Sequence, residues 1–170
     1  MWKTSLAAVL AVSAATAGAP LVAHAQTRTQ VVQWQVQVIQ DGQQIDAFDG
    51  TTTVGQARTD THHHVTQHNV GCKDQPAGSI DLSRTLTVSP TQADPDAVTL
   101  QIDAQETLED TDARQTDTGC KSPPQPRKVA ASHPGLRVAA GQWATWQIVD
   151  KNPSLVYRVH AAIATGPSTP

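Results

Sequence analysis

Between Val32 and Val38 the chain reads Val-Gln-Trp-Gln-Val-Gln-Val, with apolar and polar side chains in strict alternation. Successive side chains of a strand point to opposite faces, so this period of two predicts a half-buried β-strand. The same period returns in Ile80, Leu82, Leu86 and Val88, in Val98, Leu100, Ile102 and Ala104, and in Leu155, Tyr157, Val159, Ala161 and Ile163. Leu136 and Val138 begin another strand, and Trp143 to Val149 form the next. Ile45 to Phe48 reads as a short return strand, and the Thr- and Val-rich stretch from about Gln56 to Val70 as one more. Asp41-Gly42, Ser89-Pro90, Asp94-Pro95-Asp96, Gly141-Gln142 and Asn152-Pro153 supply turns between them. Residues 106–128, acidic and then Pro-rich, read as a long loop. Helix formers are scarce, with two Glu and one Met in the whole chain. The expectation is an all-β domain: an antiparallel β-sandwich of about seven or eight strands, immunoglobulin-like, each sheet giving its alternate apolar residues to a shared core. Trp34, Leu100, Trp146 and Tyr157 are expected in that core. Trp143 and Trp146 are an odd number of residues apart, so a regular strand sends them to opposite faces unless a bulge intervenes.

The first 25 residues read differently. Met1-Trp2-Lys3 is a short basic start, Leu6 to Ala17 an apolar run of about a dozen residues, and Ala23-His24-Ala25 a small-x-small cleavage pattern. A spanning helix needs roughly 20 residues, so the run reads as a cleavable secretory signal cut after Ala25. Residues 26–165 then form the β-domain and 166–170 a flexible tail. The expected location is the periplasm or the medium, with no membrane span in the mature chain. Loss of Lys3 leaves 11 Lys/Arg against 15 Asp/Glu, a formal charge of −4. That balance argues against nucleic acid as a partner, because phosphate neutralisation needs a basic face.

Cys72 and Cys120 are the only cysteines. An even pair in an oxidising compartment reads as a disulfide, and closure of a loop this long contributes on the order of 4 kcal/mol. Both sit in a Gly-Cys-Lys-x-x-Pro setting, as two similar strand exits lying side by side would require. A redox-active pair is the weaker alternative, since there is no C-x-x-C.

Leu86-Thr87-Val88-Ser89-Pro90, the alternating Val98 to Ala104, a variable loop, and Leu136-Arg137-Val138-Ala139-Ala140-Gly141-Gln142 follow one another in that order. This order resembles the β-domain of bacterial secretins over roughly residues 82–150. The glycine pair that follows the Gly-Gln strand in that family is replaced by the continuing strand Trp143 to Val149. The resemblance implies a β-rich envelope protein. The chain is too short for a ring-forming pore subunit, and no functional residue carries over.

His62-His63-His64, with His68, is the most unusual local feature. On one continuous strand His62, His64 and His68 share a face. The i, i+2 pair His62 and His64 then lies about 6 to 7 Å apart at the backbone, close enough for two imidazoles to converge on one ion. His68 is about 13 Å further along an extended strand and joins only if the chain bends. Asp60 or His160 are candidate third ligands. With no Met after the signal, copper(I) thioether chemistry is excluded, which leaves zinc, copper(II) or nickel. The plainer reading is a solvated strand whose polar residues are His, and a third is a pH-sensing surface.

No G-x-S-x-G, H-E-x-x-H or glycine-rich phosphate loop is present. The clusters Asp41, Asp46, Asp49 and Glu109, Asp110, Asp112 do not fit a calcium loop and read as turn acids. The leading expectation is therefore a non-enzymatic, cofactor-free interaction module of the cell envelope, pairing with a partner through an edge strand. The uncharged Gln-rich face of Val32 to Val38 is a candidate surface. A transition-metal-binding protein using the His-x-His strand comes second, and a small secreted enzyme third.

Overall fold

The computed structural model describes residues 29–68, 78–110 and 124–164. The expected signal segment, Cys72 and Cys120 with their expected disulfide, and the expected tail lie outside the described residues. The described residues are all-β: β1 (Val31–Gln40), β2 (Gln43–Thr53), β3 (Arg58–His62), β4 (Val65–His68), β5 (Gly78–Asp81), β6 (Arg84–Asp94), β7 (Ala97–Asp110), β8 (Gln125–Ala139), β9 (Trp143–Val149) and β10 (Leu155–Ile163). They form two four-stranded antiparallel sheets, ordered β2-β1-β10-β9 and β3-β6-β7-β8, and a two-stranded sheet β4-β5.

The alternation in the sequence becomes the core. β1 buries Val32, Trp34, Val36 and Val38, and its antiparallel neighbour β10 buries Leu155, Tyr157, Val159 and Ala161 on the same face. Leu86 and Val88 of β6 and Val98, Leu100, Ile102 and Ala104 of β7 come from the other sheet into one continuous cluster. Full burial of a side chain of this size contributes about 1.5–3 kcal/mol. Trp34, Leu100 and Tyr157 lie at the centre as expected. Trp146 packs half-buried against the cluster. Trp143 takes the outer face instead, under the Arg158 guanidinium at 5.2 Å and beside His160.

Several expectations about element bounds are corrected. The described residues form ten strands rather than seven or eight. The stretch 56–70 breaks at His63-His64, so β3 pairs with β6 while β4 pairs with β5. The alternation from Ile80 to Val88 also divides, at Leu82-Ser83. Ser89-Pro90 does not stop β6, which runs on to Asp94. Pro90 lies beyond the last β3 pair, Arg58–Val88, and next to a bulge, where a missing N–H is tolerated. The expected loop 106–128 is ladder at both ends, because β7 and β8 pair out to Asp110–Gln125. β1 lies between β2 and β10, so the Gln-rich strand is interior to its sheet, and the edges are β2, β9, β3 and β8.

Candidate functional site

One end of the two sheets encloses a cleft of about 780 Å³. Two turns form one wall. Asp41 and Gly42 join β1 to β2 with φ of 48° and 82°, the left-handed pair a tight hairpin turn requires. The Asp41 carboxylate accepts from the Ser154 backbone N–H at 2.9 Å and the Ser154 hydroxyl at 3.2 Å, which ties this turn to the Asn152-Pro153 turn with its cis peptide. The end of β3, the start of β4, Leu82 and the end of β7 complete the enclosure.

A chain of buried polar groups forms the floor. Arg84 and Glu106 continue the inward-facing rows of Leu86 on β6 and Ala104 on β7, and they are register partners. Both are buried, Glu106 to 2 % exposure. The Arg84 Nε–H donates to both Glu106 oxygens, at 2.8 and 3.0 Å, and its Nη1 donates to Asp46 Oδ2 at 2.8 Å. The fully buried Tyr157 hydroxyl donates to Glu106 Oε1. Buried charge is tolerated only when paired and hydrogen-bonded, and here every partner is supplied.

Burial pushes the Glu106 carboxyl up, and the charge of Arg84 and the Tyr157 hydroxyl reverse only part of that. Burial, with the adjacent Glu106 charge, also raises the Tyr157 phenol, so it remains a donor. Burial acts to lower Arg84, but the Glu106 charge and the bond to Asp46 outweigh it and hold the guanidinium charged. Burial likewise acts to raise Asp46, and the bonds from Arg84, His62 and the Ala47 amide reverse this and hold it below its ordinary range.

Imidazoles form the rim. His62 stacks on Phe48, ring centroids 4.1 Å apart, with its Nδ1 at 3.0 Å from Asp46 Oδ1. His63 places Nδ1 at 2.8 Å from Asp81 Oδ2. His64 lines the cleft without a hydrogen-bond partner for its ring among the described residues. His68 sets Nε2 at 2.7 Å from Glu109 Oε1, which joins β4 to the end of β7.

Comparison with known proteins leaves this geometry to stand alone. The chain matches no family model, no curated protein and no solved structure.

Of the residues named from sequence, the fold brings His62, His63 and His64 to one cleft, with His68 bonded to a cleft carboxylate. The strand break at His63-His64 removes the single face on which His62, His64 and His68 were expected to lie. Asp60 is engaged by Arg58, and His160 lies against Trp143 on the outer face, so neither approaches the cleft histidines as a third ligand. Among the described residues no three His, Cys, Asp or Glu side chains are grouped to hold a metal ion. Sequence reasoning missed Arg84, Glu106 and Tyr157 as site residues. The signal was present: Arg84 precedes Leu86 by two and Glu106 follows Ala104 by two, opposite charges on inward positions of adjacent strands.

Proposed function

We propose that the chain is an exported, non-enzymatic interaction module of the bacterial cell envelope, built as an immunoglobulin-like β-sandwich, and that its histidine-rimmed cleft holds a basic segment of a partner. The cleft over the Arg84–Glu106 pair carries this reading. Three carboxylates line it, Asp41, Asp46 and Glu109; Asp46 shares the Arg84 guanidinium with Glu106, which leaves Asp41 and Glu109 with no Lys or Arg ion pair among the described residues. Ile45 and Leu82 add apolar surface for the stem of a Lys or Arg side chain. The export pattern of residues 1–25 and the secretin-like order of segments support the envelope location. No described helix is long and apolar enough to cross a membrane. The Cys72–Cys120 disulfide belongs to the same proposal. The His68–Glu109 bond joins the chain four residues before Cys72 to the chain eleven residues before Cys120, well within the reach of an extended backbone.

Calorimetry with a lysine-rich octapeptide, beside a glutamate-rich peptide of the same length, tests the binding reading. The basic peptide is expected to bind and the acidic one not. Glu109→Gln is expected to weaken binding by about 1 kcal/mol, roughly fivefold. Equal behaviour of the two peptides contradicts the proposal.

A metal-binding role is the second reading, favoured by one observation. Asp46 and Asp81 engage Nδ1 of His62 and His63, the arrangement in which a carboxylate orients an imidazole and leaves Nε2 for a metal. Zinc, copper(II) or nickel would suit those donors. Saturable 1:1 binding of zinc or copper(II) tighter than about 1 μM, abolished in the double variant His62→Ala/His63→Ala, would place this reading first. Weak binding that the variant retains would remove it.

A further inference from the structure

The two four-stranded sheets end in four edge strands, and three carry features that keep an edge from pairing with another chain. β2 bears Asp46 and Asp49. β3 is five residues long and bears Arg58 and Asp60. β8 bears Arg127, Lys128 and Arg137 and is interrupted by Pro126 and Pro134. β9 reads Trp-Ala-Thr-Trp-Gln-Ile-Val, with no charge, proline or glycine. Its one irregularity is a bulge against β10 at the Leu155/Val156 end, where the Gln147 amide donates to the Val149 and Leu155 carbonyls. Trp143 to Gln147 is left regular, paired with His160 to Val156 on one side and, among the described residues, hydrogen-bonded to no strand on the other.

We propose that this segment pairs with its own copy, antiparallel, about a two-fold axis through Thr145, so that the two β2-β1-β10-β9 sheets become one eight-stranded sheet. An isologous contact requires one surface to satisfy both sides, and 143–147 does so when read against its reverse. Thr145 faces itself, Trp143 faces Gln147 of the second copy, and Ala144 faces Trp146 of the second copy. Ala144 and Trp146 lie on the core-facing side, so each large ring meets a small side chain. Trp146 is half-buried at this edge, set edge-on to Tyr157 of β10 at 5.8 Å and to His133 of β8 at 5.6 Å, and the added strand sets Ala144 of the second copy beside it. On β10 the like charges brought to face each other are the two Arg158 residues. Each is in register with Thr145 one strand inward, about 14 Å apart across the dyad at three strand spacings, where salt screens them.

Sedimentation of the purified exported chain over a range of concentrations reads the outcome directly. The wild type is expected to double its mass as concentration rises, and Thr145→Lys, an exposed change that sets two ammonium groups opposite each other, to remain monomeric. Thr145→Cys is expected to give a covalent dimer on mild oxidation, while Thr51→Cys on the β2 edge does not. A wild type that stays monomeric, a Thr145→Lys variant that still doubles, or equal crosslinking from both cysteines would overturn the proposal.

Discussion

Removal of the Arg84 guanidinium leaves Glu106 in the core with only the Tyr157 hydroxyl beside it. Breaking a buried pair from one side is worth about 3–5 kcal/mol, so Arg84→Ala is expected to lower unfolding stability by that order. Tyr157→Phe, which removes one buried donor, should cost about 1–3 kcal/mol. Denaturant titration of the two variants separates these values. Gly50 is a second such position. It faces Trp34 across β1 and β2, and a Cβ there would lie 2.7 Å from the ring at Cζ2. The ring is held by its Nε1–H bond to Thr52 at 2.9 Å, so it has little room to yield. Gly50→Ala should destabilise by about 1–3 kcal/mol through overpacking, visible as a lower melting temperature. Asp46 adds a pH dependence. Its unfolded carboxyl takes a proton near the ordinary value of 3.8, while the folded one holds off to lower pH because of Arg84 and His62. In that interval the unfolded chain binds more protons, so the stability Asp46 contributes is whole above 3.8 and is lost as pH falls through the folded value. The stability gap between wild type and Asp46→Asn is therefore expected to shrink below pH 3.8, measured by denaturant titration at a series of pH values.

Among elements, the long clean alternations were readable because one face of each meets a continuous core. β1 and β10 differ from their expected bounds only at the ends. β3 and β4 were not separable from sequence, because residues 56–70 carry no apolar face whose interruption would mark the break. His62 turns toward Asp46 and Phe48 and His63 toward Asp81, on different elements, so what breaks the strand there is tertiary bonding rather than turn chemistry. The ends of β7 and β8 were hidden for a related reason. Pro126 reads as a loop residue, yet β8 is an edge strand, where proline is accommodated. The cleft was legible in its histidines and not in its floor, since a Tyr and a charged pair at core positions become a site only when two sheets bring Tyr157 to Glu106.

On the scale of the whole molecule, the two sheets share one core, and the cleft closes one end of it with polar groups where the apolar rows stop. The proposed disulfide would join the segments that leave this end, and its reduction is expected to lower stability by on the order of 4 kcal/mol, with intact mass before and after reduction reporting the bond itself. Whether the cleft receives a basic partner segment is read residue by residue in an amide ¹H–¹⁵N titration with the lysine-rich octapeptide. Saturable shifts confined to His62–His64, Asp41, Thr107–Glu109 and the Asn152 turn are expected. Shifts centred on the outer face around Trp143 and Arg158, or none at saturating peptide, would contradict binding in the cleft.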